Sequence, residues 1–238
     1  MSNQLLTNTS RYLSSFVSLF FPSCCLLCRQ QEILAEQHFC FSCEQQLPYT
    51  NYHHLIENDF TDRFWGRIAL ETGAALFLLR GGSKVQQLIY HLKYFDRPDI
   101  GIQLGRLYGR QLLQQSSYSE VDWIVPVPLH AIRLRNRGYN QSTQFAIGLS
   151  QSMKIPYNNT ALQRTKDTTT QTHKDRLARI ENMLSAFRLK EVHPFKNKHI
   201  LLVDDVLTTG ATLEACATQL LEVEGIKISM VTLAIAEF

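Results

Sequence analysis

The chain has 238 residues, of which 45% are hydrophobic and 19% are charged, and its formal net charge is +3. This composition predicts one α/β domain with a small satellite, and it excludes a fibrous or disordered protein. Because a net charge of +3 is too small for the whole molecule to act as a polycation, any binding of nucleic acid must come from a local cluster of charge.

Residues 1–22 are predicted to form an amphipathic helix. Apolar residues recur there with the spacing of one helical face, at Leu13, Phe16, Val17 and Phe20. The apolar run is too short to cross a membrane, and no small-residue cleavage site follows it. This pattern favours a helix docked on the protein or on a partner over membrane insertion. We therefore expect a cytoplasmic protein without a membrane span, in which thiols stay reduced.

The region 23–50 is predicted to be a structural zinc module. Its cysteines form two Cys-x-x-Cys pairs, Cys25 with Cys28 and Cys40 with Cys43. Two such turns can present four thiolates to one tetrahedral zinc ion, which supplies folding free energy that so short a segment cannot obtain from a core. Two disulfides or a redox-active pair are the alternatives, and a reducing cytoplasm disfavours the first of them. Either Cys24 or His38 can replace a neighbouring ligand.

The main domain is predicted to cover 73–238, after a polar linker at 51–72. Its first predicted elements, in chain order, are a strand at 74–79, helices at 85–92 and 101–115, a strand at 122–127 and a helix around Phe145 and Leu149. The last third contains a continuous apolar run at 199–203, a helical stretch at 213–223 and a strand-like run at 226–235. Strand, helix and strand in this order form a βαβ unit, so we predict an open parallel sheet flanked by helices.

The segment after the 199–203 run predicts an anion site. Its residues are Asp204, Asp205, Val206, Leu207, Thr208, Thr209, Gly210, Ala211 and Thr212. Ligands bind beyond the carboxyl ends of strands in such sheets, and small residues at a helix N-terminus can surround a phosphate with N–H groups and hydroxyls. The two acids would repel that phosphate unless they serve ribose hydroxyls or a magnesium ion. Ordinary turn and helix-cap roles explain some of these residues but not the whole run. We therefore predict a ribose phosphate ligand.

This run closely resembles the signature that binds 5-phosphoribosyl-1-pyrophosphate (PRPP) in type I phosphoribosyltransferases. The resemblance implies that Asp204 and Asp205 contact the ribose hydroxyls and act in any catalysis, and that 207–212 holds the 5-phosphate. It also implies a pyrophosphate loop at 126–130, which contains Pro126, Val127 and Pro128. Candidate cations for the pyrophosphate are Lys93, Arg133, Arg137, Arg164, Lys166, Lys174 and Arg176. For each of these cations, a solvated surface role is an equally good explanation.

A wider set of motifs resembles the ComF/ComFC group, which includes GntX-type proteins. These motifs are the two cysteine pairs preceded by Phe21-Pro22, then Leu92-Lys93, Val125–Leu129 and Arg137–Gln141. The resemblance implies a type I phosphoribosyltransferase-like fold and a competence protein for natural transformation that handles incoming single-stranded DNA in the cytoplasm. It implies zinc, PRPP and magnesium as ligands, with a competence helicase or DNA-processing proteins as partners.

Local charge is compatible with a DNA role. Nine Lys and Arg residues but only two acids, Asp167 and Asp175, lie between Ala131 and Ile180. We expect this stretch to hold a strand through phosphate contacts, with stacking on aromatic residues such as Tyr139 and Phe145. Two alternatives stay open, an active phosphoribosyltransferase with an unidentified nucleobase or nucleic-acid acceptor, and an interaction module with a vestigial loop.

Overall fold

The computed structural model describes residues 24–33, 37–165, 186–190 and 192–237. The helix predicted at 1–22 lies outside these residues, as do the candidate cations Lys166, Lys174 and Arg176. The chain divides into two compact units, Met1–Leu47 and Pro48–Phe238. Among the described helices, none has the length and hydrophobicity that a membrane crossing requires.

The described residues of the smaller unit contain one helix, α1 (Phe41–Gln45), which starts directly after Cys40. The helices of the larger unit are α2 (Asp59–Asp62), α3 (Lys84–Tyr94), α4 (Pro98–Leu112), α5 (Ser116–Ser119), α6 (Ala131–Arg137), α7 (Gln141–Met153) and α8 (Ala211–Leu221). Short 3-10 helices cover Tyr52–His54 and His193–Phe195. The strands are β1 (Thr72–Leu79), β2 (Trp123–Pro126), β3 (Leu162–Arg164), β4 (Phe187–Leu189), β5 (His199–Leu207) and β6 (Lys227–Ala236).

Four strands form a parallel sheet in the order β1-β6-β5-β2, and β3 pairs with β4 in a separate antiparallel ribbon. The predicted open parallel sheet flanked by helices is therefore confirmed. The strand β5 is longer than the apolar run at 199–203, because its pairing with β6 continues from Asp204↔Thr232 to Leu207↔Ile235. The two acids thus belong to the end of a strand, and the loop proper covers 208–210.

Residues 51–72, where we expected a linker, are packed into the larger unit. Phe60 and Phe64 are fully buried in the core that also contains Leu207 of β5 and Leu213 of α8. The side chain of Asn58 caps α2 by accepting hydrogen bonds from the backbone N–H groups of the next turn. The segment reads as polar because only a few of its side chains reach the core.

Close contact between α4 and α7 sets the position of α7. A Cβ atom on Gly105 would collide with the carbonyl oxygen of Phe145, and one on Gly148 would collide with the carbonyl oxygen of Ile102. Nearby, the rings of Tyr108 and Phe145 stack with centroids 6.4 Å apart. The two helices can approach this closely only because the facing residues have no side chain.

We expect Gly148→Ala to lower the free energy of unfolding by about 1–3 kcal/mol, because the added methyl forces α4 and α7 apart. The matched control is Gly81→Ala, since a Cβ atom there meets nothing within 4 Å. The control should leave stability unchanged or raise it by up to about 1 kcal/mol. Denaturant unfolding measures both variants, and equal effects would contradict the close-contact interpretation.

Candidate functional site

The four predicted zinc ligands of the smaller unit converge. The sulfur atoms of Cys25, Cys28, Cys40 and Cys43 all lie within 4.8 Å of one another. The sulfurs of Cys28 and Cys40 are 3.9 Å apart, close to the ~3.8 Å edge of a tetrahedron with Zn–S bonds of ~2.3 Å. A backbone hydrogen bond of 2.9 Å from Leu26 N–H to the carbonyl oxygen of His38 joins the two pairs. Neither Cys24 nor His38 belongs to the group that this part of the described chain brings together.

The thiols of this cluster differ in acidity. Burial raises the pKa of Cys25, but hydrogen bonds from backbone amides, including that of Cys40, outweigh it and lower the pKa to about 6. Burial and the neighbouring thiols raise the pKa of Cys43 to about 12. Three of the four cysteines are buried and Cys28 is half-buried, and hydrogen bonds from backbone amides lower the pKa of Cys28 as they do that of Cys25. Such a set suits a divalent soft cation, which would favour ionisation of the other thiols.

In the larger unit, the two adjacent acids at the end of β5 have different partners. Asp204 accepts a 2.8 Å hydrogen bond from the hydroxyl of Ser142, at the start of α7. Asp205 forms a 2.8 Å ion pair with the ammonium group of Lys93, near the end of α3. Adjacent side chains of a strand point in opposite directions, which lets each carboxylate meet a different helix.

The first acid is the more strongly perturbed of the two. Burial raises the pKa of Asp204 to about 7, and the charge of Asp205 adds to the rise. The Ser142 hydroxyl, the Asp205 backbone N–H and the charge of Lys93 oppose it. The raised pKa favours the protonated form of this carboxyl group more than in an ordinary aspartate, and the protonated form can donate a hydrogen bond as well as accept one.

The segment predicted to hold the phosphate, 207–212, contains the end of β5, a loop at 208–210 and the N-terminus of α8. Gly210 has φ +85°, a left-handed conformation that glycine adopts at little cost, and a Cβ atom there would lie 3.0 Å from the ring of Phe64. The guanidinium of Arg63 donates a hydrogen bond to the carbonyl oxygen of Thr208. The exposed hydroxyls of Thr208 and Thr209 and the positive end of α8 can therefore receive an anion.

The predicted pyrophosphate loop follows β2. Pro126 is buried and does not reach the cleft, whereas Val127 and Pro128 line it. The N–H of Val127 already donates to the carbonyl oxygen of Val203 over 2.8 Å, and a proline has no N–H. These residues therefore shape the wall, and the amide side chain of Asn140 fixes them by donating to the carbonyl oxygen of Val127 over 2.8 Å.

A cleft of about 570 Å³ joins these elements. Predicted site residues that line it are Lys93, Val127, Pro128, Arg137, Asp204, Asp205, Val206, Thr208 and Thr212, with the further candidates Arg133 and Arg164. Leu207 is buried beneath it. The predicted residues Thr209, Gly210 and Ala211 complete the loop without lining the cleft. Ser142 was not predicted from the sequence, where its signal is the polar start of a helix directly after the Arg137–Gln141 motif.

The side chain of Arg137 bridges two parts of the site. Its guanidinium donates to the amide oxygen of Gln141 over 2.6 Å and lies 5.5 Å from the ring centroid of Tyr94. Gln141 and Tyr94 also line the cleft. Among the described residues that line it, four side chains are cationic and two are acidic. This balance suits a ligand with several negative charges.

The aromatic residues that we expected to stack on bases are not available for that role. Phe145 is fully buried between α4 and the sheet, and Tyr139 is 9% exposed. The hydroxyl of Tyr139 donates a 2.5 Å hydrogen bond to the carbonyl oxygen of Leu92. Both rings serve packing, so the expectation of stacking on Tyr139 and Phe145 was wrong.

Comparison with known proteins matches residues 139–236 to the phosphoribosyl transferase domain family. The chain is 36% identical over 137 residues to the DNA utilization protein YhgH of Escherichia coli K12, covering 56% of this chain and 60% of that relative. It thus spans about three fifths of the length of YhgH. It is 29% identical over 204 residues to Competence protein F of Haemophilus influenzae, covering 82% and 89% of the two chains.

Solved structures to which the chain is similar include a purine phosphoribosyltransferase from Pyrococcus horikoshii, with a TM-score of 0.35 and 18% identity over 57% of this chain and 73% of that chain. Another is a glutamine PRPP amidotransferase from B. subtilis, with a TM-score of 0.40 and 22% identity over 59% and 30% of the two chains.

We expect Asp204→Asn to stabilise the protein at about pH 8 by on the order of 1–3 kcal/mol, and to have little effect at about pH 4, close to the ordinary pKa of an aspartate. Because the pKa of Asp204 in the folded protein is raised to about 7, the folded state binds more protons than the unfolded chain between that value and the ordinary one. The stabilisation from this group is thus present at low pH and is lost as pH rises through about 7. Thermal unfolding at both pH values measures the difference, and equal effects at the two would contradict it.

Proposed function

The chain belongs to the ComF-type family of proteins with a phosphoribosyltransferase-like domain, and from this premise we propose that it binds PRPP in the cleft and acts in the handling of DNA. The observation that carries the proposal is the convergence, in one cleft, of two carboxylates, two threonines of the predicted phosphate segment and several cations. The cleft volume of about 570 Å³ falls in the range of ~300–1,000 Å³ typical of small-molecule sites.

Each part of the cleft matches one part of PRPP. The loop at 208–210 and the N-terminus of α8 receive the 5-phosphate. The carboxylates of Asp204 and Asp205 accept hydrogen bonds from the ribose hydroxyls. The side chains of Arg133 and Arg137 supply positive charge for the pyrophosphate. Magnesium, when bound, neutralises the pyrophosphate further.

Ligand binding requires Lys93 to change partner. Its ammonium group occupies one oxygen of Asp205 at 2.8 Å, where a ribose hydroxyl would have to bind. Because lysine is a flexible cation with a long stem, it can leave the carboxylate and turn to the pyrophosphate. The ion pair therefore compensates the charge of Asp205 before the ligand binds. In the complex, a ribose hydroxyl would bind Asp205 and the pyrophosphate would bind Lys93.

The DNA role is supported by the names of two relatives, a DNA utilization protein and a competence protein. We propose that the chain handles incoming single-stranded DNA in the cytoplasm during natural transformation, with a competence helicase or DNA-processing proteins as partners. The cysteine cluster fits zinc by its donor set and spacing, and zinc would hold 25–43 in its fold.

A second candidate function is transfer of the phosphoribosyl group to a nucleobase or nucleic-acid acceptor. It is favoured by Asp204, whose pKa of about 7 allows proton exchange at neutral pH. Transfer would displace pyrophosphate from the ribose C1 carbon, and the cations of the cleft would stabilise the leaving group.

Calorimetric titration with PRPP and magnesium tests the proposed ligand. We expect Asp205→Asn to weaken binding by about 10- to 100-fold, because charge-assisted hydrogen bonds contribute ~1.5–3 kcal/mol each. The control is Glu222→Gln, a change at the far end of α8 that should leave binding unchanged. Wild-type protein that does not bind PRPP would refute the proposal, and pyrophosphate release with candidate bases would support the transferase.

Metal analysis tests the zinc site. We expect one zinc ion per chain in the wild type and loss of the ion in Cys40→Ser/Cys43→Ser, because two thiolates cannot hold a structural site. The variant Cys24→Ser is the matched control, since that thiol lies outside the group of four sulfurs, and it should retain zinc. Metal retained in the double variant would contradict the assignment.

A further inference from the structure

Three aromatic side chains at the end of α3 form an exposed patch. Tyr90, Tyr94 and Phe95 are 54%, 64% and 55% exposed. The ring centroid of Tyr90 is 4.9 Å from that of Tyr94 and 5.5 Å from that of Phe95. We call these three residues the aromatic patch. Since exposure of so much contiguous aromatic surface is unfavourable, it indicates a binding role.

Packing of α3 does not explain the patch. The helix buries Val85, Leu88 and Leu92 on its other side, and these residues already anchor it to the larger unit. Tyr90 and Tyr94 are four positions apart, so they lie above one another on the exposed side. Their rings therefore lie side by side and face solvent.

Beside the patch lies α6, a basic helix without a buried side. None of its residues is buried, and it carries Arg133, Arg135 and Arg137. The guanidinium of Arg137 lies 5.5 Å from the ring centroid of Tyr94 and so connects the helix to the patch. From Trp123 to Thr165 the sequence contains no Asp or Glu. The contact between Arg137 and Tyr94 thus joins the positive charge of α6 to the exposed rings.

This surface reaches the ribose phosphate cleft, because Tyr94, Arg133 and Arg137 also line the cleft. Whatever binds along the patch and α6 therefore ends at the proposed PRPP site. The arrangement places a stacking platform and phosphate-binding cations next to a site for an activated ribose phosphate.

We propose that the aromatic patch and α6 bind single-stranded nucleic acid, with bases stacked on the exposed rings and phosphates held by Arg133 and Arg137, which lie on the same side of the helix. The inference rests on the proposed DNA function and assigns it a surface. Stacking on aromatic rings combined with a basic groove is how proteins hold single strands without sequence preference. A second copy of this chain is a poorer occupant, because two basic helices would repel each other.

Fluorescence anisotropy with two labelled oligomers of about 16 nucleotides tests the surface. One is oligothymidylate, and the other is an abasic strand with the same phosphates. We expect Tyr90→Ala to lower the affinity for oligothymidylate about tenfold and to leave the affinity for the abasic strand unchanged. We expect Arg133→Gln to weaken both equally and to reduce the slope of log K against log salt by about 0.7.

Two exposed residues elsewhere supply matched controls. Trp65 is 75% exposed and follows α2, and Lys154 is exposed at the end of α7. The variants Trp65→Ala and Lys154→Gln should bind both oligomers as the wild type does. Equal losses in the control and patch variants would overturn the assignment of this surface.

Further outcomes separate this inference from the proposed function. Tyr90→Ala should bind PRPP normally, because Tyr90 does not line the cleft, and normal binding also shows that the variant is folded. Wild-type protein that binds PRPP but neither oligomer would overturn the DNA role and leave the ligand site intact. Oligothymidylate binding that is unchanged in Tyr90→Ala would overturn only the patch. A change from dimer to monomer in Tyr90→Ala, with DNA affinity unchanged, would identify a protein interface instead.

Discussion

Two adjacent carboxylates at the end of β5 are the constraint on which the site depends. Two like charges on neighbouring, partly buried residues repel each other and lose solvation. The structure compensates each of them separately, Asp204 through the hydroxyl of Ser142 and Asp205 through the ammonium of Lys93. Helices α7 and α3 must therefore end or begin at this point, and the close contact of Gly105 with Gly148 is one means of holding α7 there. The compensation is partial, since burial keeps the pKa of Asp204 raised.

The same strand connects the acids to the phosphate loop and to the segment 51–72. Phe64 packs beneath Gly210, and Arg63 binds the carbonyl oxygen of Thr208. The loop is thus supported from below by residues more than a hundred positions earlier in the chain. A rigid loop at the N-terminus of a helix loses little conformational entropy when it binds an anion. The packed segment therefore helps to hold the loop in the conformation that the proposed ligand would need.

Helix α6 contributes residues both to the cleft and to the surface around it. The helix begins at the end of the loop after β2 and carries arginines that face both the cleft and solvent. With the aromatic patch on α3, it makes the rim of the proposed PRPP site a suitable place for a polyanion with flat bases. A ligand in the cleft and a strand on the rim would share the charge of Arg133 and Arg137. Binding of one would therefore affect the other through electrostatics.

The sequence by itself determined the parallel sheet, the four-cysteine cluster and the acidic and threonine-rich run, because each depends on local patterns of apolar, thiol or small residues. It did not reveal that 51–72 is packed, because Phe60 and Phe64 find their partners in distant elements. It pointed to Tyr139 and Phe145 as stacking residues, whereas the rings in the exposed patch are Tyr90, Tyr94 and Phe95. Exposure, and the pairing of Asp204 with Ser142 and of Asp205 with Lys93, were decided only by the tertiary structure. Which side of a helix meets the core, and which side chain meets a carboxylate, depends on contacts between residues far apart in the chain.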